Sequence, residues 1–182
     1  MSGRDDEAAS QIELALQIAP DSLDAHFRLV DIYTRMGKLS ELTARLAKDS
    51  LDDPFRAAPR LALSIVYART GRFDEAIHQA QEGLLLSNSD ELAFRVLAEA
   101  QMGKAHSSLR DNWDGAWLAF QDGALTLGRL ANIDSAQQGQ WLSFAAQWFE
   151  RFAMDSHRTN PPFIGTMDPR ELTILAHAAQ YY

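Results

Sequence analysis

Two arginines, Arg35 and Arg69, stand 34 residues apart in near-identical surroundings, "IYTRMGKLSEL" at 32–42 and "VYARTGRFDEA" at 66–76. A guanidinium presents a rigid fork of donors, the right chemistry for binding a carboxylate or a backbone carbonyl. Other reactive groups are poorly arranged for catalysis. His26, His78, His106, His157 and His177 do not fall at metal-ligand spacing. His26 and His78 read as packing or surface residues. There is no cysteine, which removes thiolate metal sites, Cys nucleophiles and disulfides. No G-x-S-x-G, phosphate-binding P-loop or H-E-x-x-H is present. Carboxylates are plentiful, but no pair of them is set apart for acid–base work. The residues favour binding over catalysis, and no cofactor is expected.

The elements that carry these arginines repeat. Leu29 answers Leu63, Tyr33 answers Tyr67 and Gly37 answers Gly71, each at 34 residues, and Pro20 and Pro54 keep the same interval. A period of this size marks stacked supersecondary units. Each unit reads as two helices, with a glycine turn between them and a proline-bearing stop after the second. Alanine, leucine and glutamine abound while β-branched residues are sparse, so the whole chain is expected to be helical.

On these residues the sequence resembles the tetratricopeptide repeat family over roughly residues 5–125. Leu29, Tyr33, Gly37 and Leu42 take the small and large consensus places in one repeat. Leu63, Tyr67, Gly71, Ala76, Ala80 and Gly83 take them in the next. The segment 5–22 looks like a second helix alone, with Ala8, Ile12, Ala15 and Pro20 in matching slots. A divergent unit at 91–129 keeps Phe94, Leu97, Gln101, Trp113, Ala116, Phe120 and Gly123, but "SSLRDN" replaces the turn glycine. The aromatic expected early in each first helix is His26, Arg60 and Phe94 in turn.

The expected fold is therefore all-α: a right-handed solenoid of helix-turn-helix repeats. It comprises a half repeat at 5–22, repeats at 23–56, 57–90 and 91–129, and a helical carboxy-terminal extension over 131–182. In that extension Trp141, Phe144, Ala145, Trp148 and Phe152 share one helical face and read as a cap on the array. A last helix opens at "DPRE", with Asp168 as N-cap, Pro169 first and Glu171 third.

The resemblance implies a concave face lined by the first helix of each pair. The family's groove positions fall here on Phe27, Arg28, Asp31, Arg35, Leu61, Ile65, Arg69, Arg95, Glu99 and Met102. Arg35 and Arg69 would then form a two-rung ladder for a carbonyl-rich or acidic segment. The plainer reading is a solvated face with pairs to Asp31 or Glu99. One subclass of the family clamps acidic chaperone tails with Lys and Asn; Arg28, Ala62 and Val96 hold the matching places, which argues against that role.

The expected function is a non-enzymatic scaffold that binds another protein or peptide, with self-association through Ile12, Leu14, Leu16 and Ile18 as a second possibility. The alternative comes from residues 102–129 and "PFIGTMDPRELTIL", which resemble the repeat and linker ahead of bacterial sulfotransferase-type domains. Phe163, Ile164, Gly165, Pro169, Arg170, Thr173 and Leu175 match with gaps. Glu171 and Leu172 stand where the family's phosphate-cradling loop has Ser and Gly, and the chain stops at Tyr182, so no sulfate transfer is expected of it. The net charge of −8 argues against general nucleic-acid binding. The first ten residues lack the apolar core of a secretory signal, and no stretch approaches the ~20 apolar residues of a membrane span. A cytoplasmic location is expected.

Overall fold

The computed structural model describes residues 2–87, 91–108 and 111–133. Seven α-helices account for nearly all of them, and no strand occurs among the described residues. They are α1 (Ser2–Ile18), α2 (Leu23–Arg35), α3 (Leu39–Asp52), α4 (Ala57–Arg69), α5 (Phe73–Leu86), α6 (Glu91–Ser108) and α7 (Trp113–Ile133). The aromatic face at 141–152, the "DPRE" helix and the "PFIGTMDPRELTIL" segment lie outside the described residues. The chain divides into two compact units, Met1–Ala93 and Phe94–Tyr182, the division falling in the first turn of α6.

The 34-residue interval governs the helix boundaries themselves. It separates the starts of α2 and α4, their ends, the starts of α3 and α5, and the ends of α3 and α5. The physical cause is the turn. Gly37 and Gly71 have φ of 68° and 77°, in the left-handed region that glycine enters without a Cβ clash. The amide of Gly37 donates to the Thr34 carbonyl at 3.1 Å, and that of Lys38 to the Tyr33 carbonyl at 2.9 Å. Gly71 and Arg72 repeat the pattern on Ala68 and Tyr67, at 3.1 and 2.9 Å. Both helices thus end in a Schellman motif, which satisfies carbonyls the helix would otherwise leave open. Arg72, just beyond, stacks 4.3 Å from the Tyr67 ring centroid and pairs with Glu75 in the first turn of α5.

Between pairs the stops differ. Ser22 caps α2, its hydroxyl accepting from the Ala25 amide at 3.3 Å. Before α4, the Asp53 side chain accepts from the Phe55 amide at 3.2 Å and folds the chain around Pro54. Pro59 lies in the first turn of α4, where its missing N–H leaves no helical bond unmade.

In the first unit α2 contacts α1, α3 and α4, α3 also contacts α4, and α4 has its fullest contact with α5. Leu29, Val30, Leu42, Leu46, Ala62, Leu63 and Val66 form the core that joins α2, α3 and α4, with Ala9 of α1 in it as well. Close approach of α4 and α5 depends on small residues: Ala76 and Ala80 are fully buried, and a Cβ on Gly83 would sit 2.7 Å from Leu61 Cγ and Cδ2. The Ser64 hydroxyl crosses the same interface and donates to the Ala76 carbonyl at 2.7 Å. In the second unit Met102 packs on Gly123 in the same manner, where a Cβ would lie 3.0 Å from Met102 Cε. Beside it, the buried Thr126 hydroxyl donates to Gln101 Oε1 at 2.8 Å.

The two kinds of glycine are expected to respond differently to alanine. Nothing lies within 4 Å of a Cβ on Gly71. Gly71→Ala should therefore cost only backbone strain, about 1 kcal/mol in urea unfolding, and Gly71→Asn less. At Gly83 the backbone is helical, so alanine gains about 1 kcal/mol of propensity. It also collides with a Leu61 side chain that is fully buried. Gly83→Ala should lose about 1–2 kcal/mol net by the same measurement.

Candidate functional site

The residues assigned to the candidate face divide by accessibility. On α2, Arg28, Asp31 and Arg35 are exposed and Phe27 is half-buried. On α4, Arg69 is exposed and Ile65 is half-buried against the core, but Leu61 is fully buried. In the second unit Glu99 is exposed, Arg95 is half-buried, and Met102 is 1% exposed. Leu61 and Met102 therefore set the spacing of helix pairs and offer no side-chain surface to a ligand. Both were assigned to the face by the groove positions that the family resemblance implies.

Arg35 and Arg69 each end a first helix, just ahead of a glycine turn, so the repeat delivers both guanidinia to equivalent points. Each is held by a residue of an earlier helix. Arg35 donates to one oxygen of Asp5 on α1, from Nε at 3.2 Å and Nη2 at 2.9 Å. Arg69 reaches back to α2, with Nη2 2.6 Å from Asp31 Oδ1 and Nη1 2.6 Å from Thr34 Oγ1. The Arg69–Asp31 pair is the one named from sequence; Asp5 and Thr34 were not anticipated. Nothing in local sequence relates Asp5 to Arg35, because the contact crosses between helices. Arg28 pairs within its own helix with Asp24 at 2.7 Å, and Arg95 approaches Glu99 at 3.8 Å.

These pairs remain partly open to water, with Arg35 57% and Arg69 37% exposed. Exposed ion pairs of this kind contribute little to stability, so a ligand carboxylate can compete for them at small cost. What results is two forks of donors, one per repeat, that are oriented in advance by internal carboxylates. Phe27 on α2 and Ile65 on α4 are each half-buried apolar residues of the same helices.

The histidines lie elsewhere. His78 is exposed and His106 is half-buried. His26 is buried, 3% exposed, in the first turn of α2, with Nδ1 2.9 Å from the Ser22 carbonyl oxygen. That geometry suits a neutral ring whose Nδ1–H donates to the carbonyl. Burial holds the His26 pKa below its ordinary value; the Ser22 bond opposes this and the Arg56 charge adds to it. Asp49 and Asp21 are the carboxylates that face it. Among the described residues no group of three or more His, Cys, Asp or Glu is placed to hold a metal ion. No helix among them is long and apolar enough to cross a membrane.

No protein-family model matches the chain, and no curated protein matches it.

The depressed His26 pKa has a definite consequence. Below about pH 6.5 the unfolded chain takes up a proton that the folded ring resists. Stability should thus be complete above that pH and decline as pH falls from it toward the folded-state value. His26→Phe, which installs the aromatic that Phe94 supplies at the equivalent place, should flatten urea midpoints between pH 7.5 and 5. A wild-type slope that persists in His26→Phe would assign the effect to other groups.

Proposed function

We propose that this protein is a non-enzymatic, tetratricopeptide-like scaffold, a right-handed solenoid of helix pairs that binds a segment of another protein along its first helices. The observation that carries the reading is the 34-residue recurrence of helix ends, which brings Arg35 and Arg69 to equivalent positions on the neighbouring helices α2 and α4. Two guanidinia in register suit an extended chain that presents carboxylates or free backbone carbonyls at intervals. Phe27 on α2 and Ile65 on α4, both half-buried, would accommodate an apolar side chain of the same segment. Asp31, paired with Arg69, favours a ligand with polar breaks over a uniformly acidic one. The reducing cytoplasm is the compartment that a cysteine-free sequence of this composition fits.

The test uses a peptide selected against the whole chain from an unbiased display library. Arg35→Ala combined with Arg69→Ala should weaken its binding about tenfold, since each lost charge-assisted contact is offset by the internal pair it replaced. Far-ultraviolet circular dichroism should be unchanged, because both side chains lie on the surface. Undiminished affinity in the double variant would remove the binding face from α2 and α4.

A further inference from the structure

The helix α1 is attached differently from the rest of the first unit. Among its side chains only Ala9 is buried, whereas α4 buries seven residues. Ala8, Ile12 and Leu16 are half-buried against the core, and a set of polar contacts adds to them. Every one of those polar contacts runs from an acid on α1 to a donor on α2, on the following turn or on α3. Asp5 meets Arg35 at 2.9 Å, Asp6 meets Lys38 at 3.4 Å, and Glu13 meets Arg45 while also accepting from the Tyr33 hydroxyl at 3.1 Å. Burial and the neighbouring Glu13 charge raise the Tyr33 pKa, which keeps that hydroxyl a donor.

We propose that the surface beneath α1 is a helix-binding site which α1 fills in cis, and whose partner in trans is an acidic amphipathic helix. The site is an apolar strip edged by Arg35, Lys38 and Arg45, with the Tyr33 hydroxyl sharing Glu13 with Arg45. The sequence of α1 is the template for what it accepts: small or aliphatic residues at 8, 9, 12 and 16, with carboxylates at 5, 6 and 13. Charge complementarity fixes the partner's sign and register, and the thin apolar contact leaves α1 replaceable. Release does not dismantle the unit. Arg56 anchors the hinge by donating to the Pro20 carbonyl at 2.6 Å and to Asp21 at 3.0 Å. Leu61, Ala76 and Ala80 pack between α4 and α5 with no part played by α1. Arg35 is shared with the face proposed above, but Lys38, Arg45 and Tyr33 are not, so each idea can fail alone.

The test keeps the full chain and weakens only the tether, with Asp5→Lys plus Glu13→Lys. The probe is a fluorescent peptide of residues 2–18 with the native sequence. Fluorescence anisotropy should show it binding the variant at least tenfold more tightly than the wild-type chain, with affinity falling as salt is raised. A peptide carrying the same two lysines should not bind. Hydrogen exchange of the variant should lose protection in 2–18 and keep it in α2 to α5. Peptide binding no tighter to the variant than to wild type would overturn the proposal. Loss of protection across α2 to α5 together with α1 would overturn it as well, by making α1 an integral part of the core.

Discussion

The first unit depends on a backbone constraint: a left-handed residue must follow each first helix so that the chain can reverse within three residues. Gly37 and Gly71 meet it, and the paired amide-to-carbonyl bonds that follow fix where α3 and α5 begin. Once the reversal is fixed, the remaining geometry has little freedom. The second helix must lie against the first, so their interface takes alanine, serine and glycine where backbones approach. The charged residues left at the helix ends then recur in space as they do in sequence. Arg35 and Arg69 are equivalent because the glycines behind them are.

A second principle orders the polar groups. Where the interface is dry, polar side chains are bonded inside it, as Ser64 is to Ala76 and Thr126 to Gln101. Where it is wet, acid–base pairs stitch one helix to another, as Asp5 of α1 does with Arg35 of α2 and Asp31 of α2 with Arg69 of α4. The dry bonds specify packing and the wet pairs can be exchanged. That division makes both a ligand face and a replaceable end helix physically reasonable on one scaffold. Arg60 is an exception, for its Nε is buried without a bond while its terminal nitrogens reach Pro54 and Gln79 at 3.4 and 3.5 Å. It occupies the place of an aromatic, and its planar group fills that slot at the expense of one unmade bond.

Much of the helical framework was legible because turns are local. Tyr-x-x-x-Gly fixes a helix end through contacts spanning six residues, so helix ends could be read directly from the 34-residue interval. Accessibility was less legible. Leu61 and Met102 looked like surface residues by their register, yet each meets a glycine on the following helix, and closeness across a helix pair leaves no mark in local sequence. The ion pairs of α1 were hidden for the same reason: Asp5 and Arg35 are distant along the chain and meet only after the fold has formed. His26 fell between these cases. Its burial follows from the aromatic slot it occupies, while the bond to Ser22 depends on the cap.

The central claim is that a partner segment lies along α2 and α4 and is held by the two guanidinia. Its most direct test follows the arginine Nε–Hε resonances of the whole chain by nuclear magnetic resonance as a library-selected peptide is added. The account predicts that Arg35 and Arg69 shift together and saturate at the same peptide concentration, while Arg56 and Arg72 stay fixed. Saturable binding that leaves Arg35 and Arg69 unmoved would contradict it.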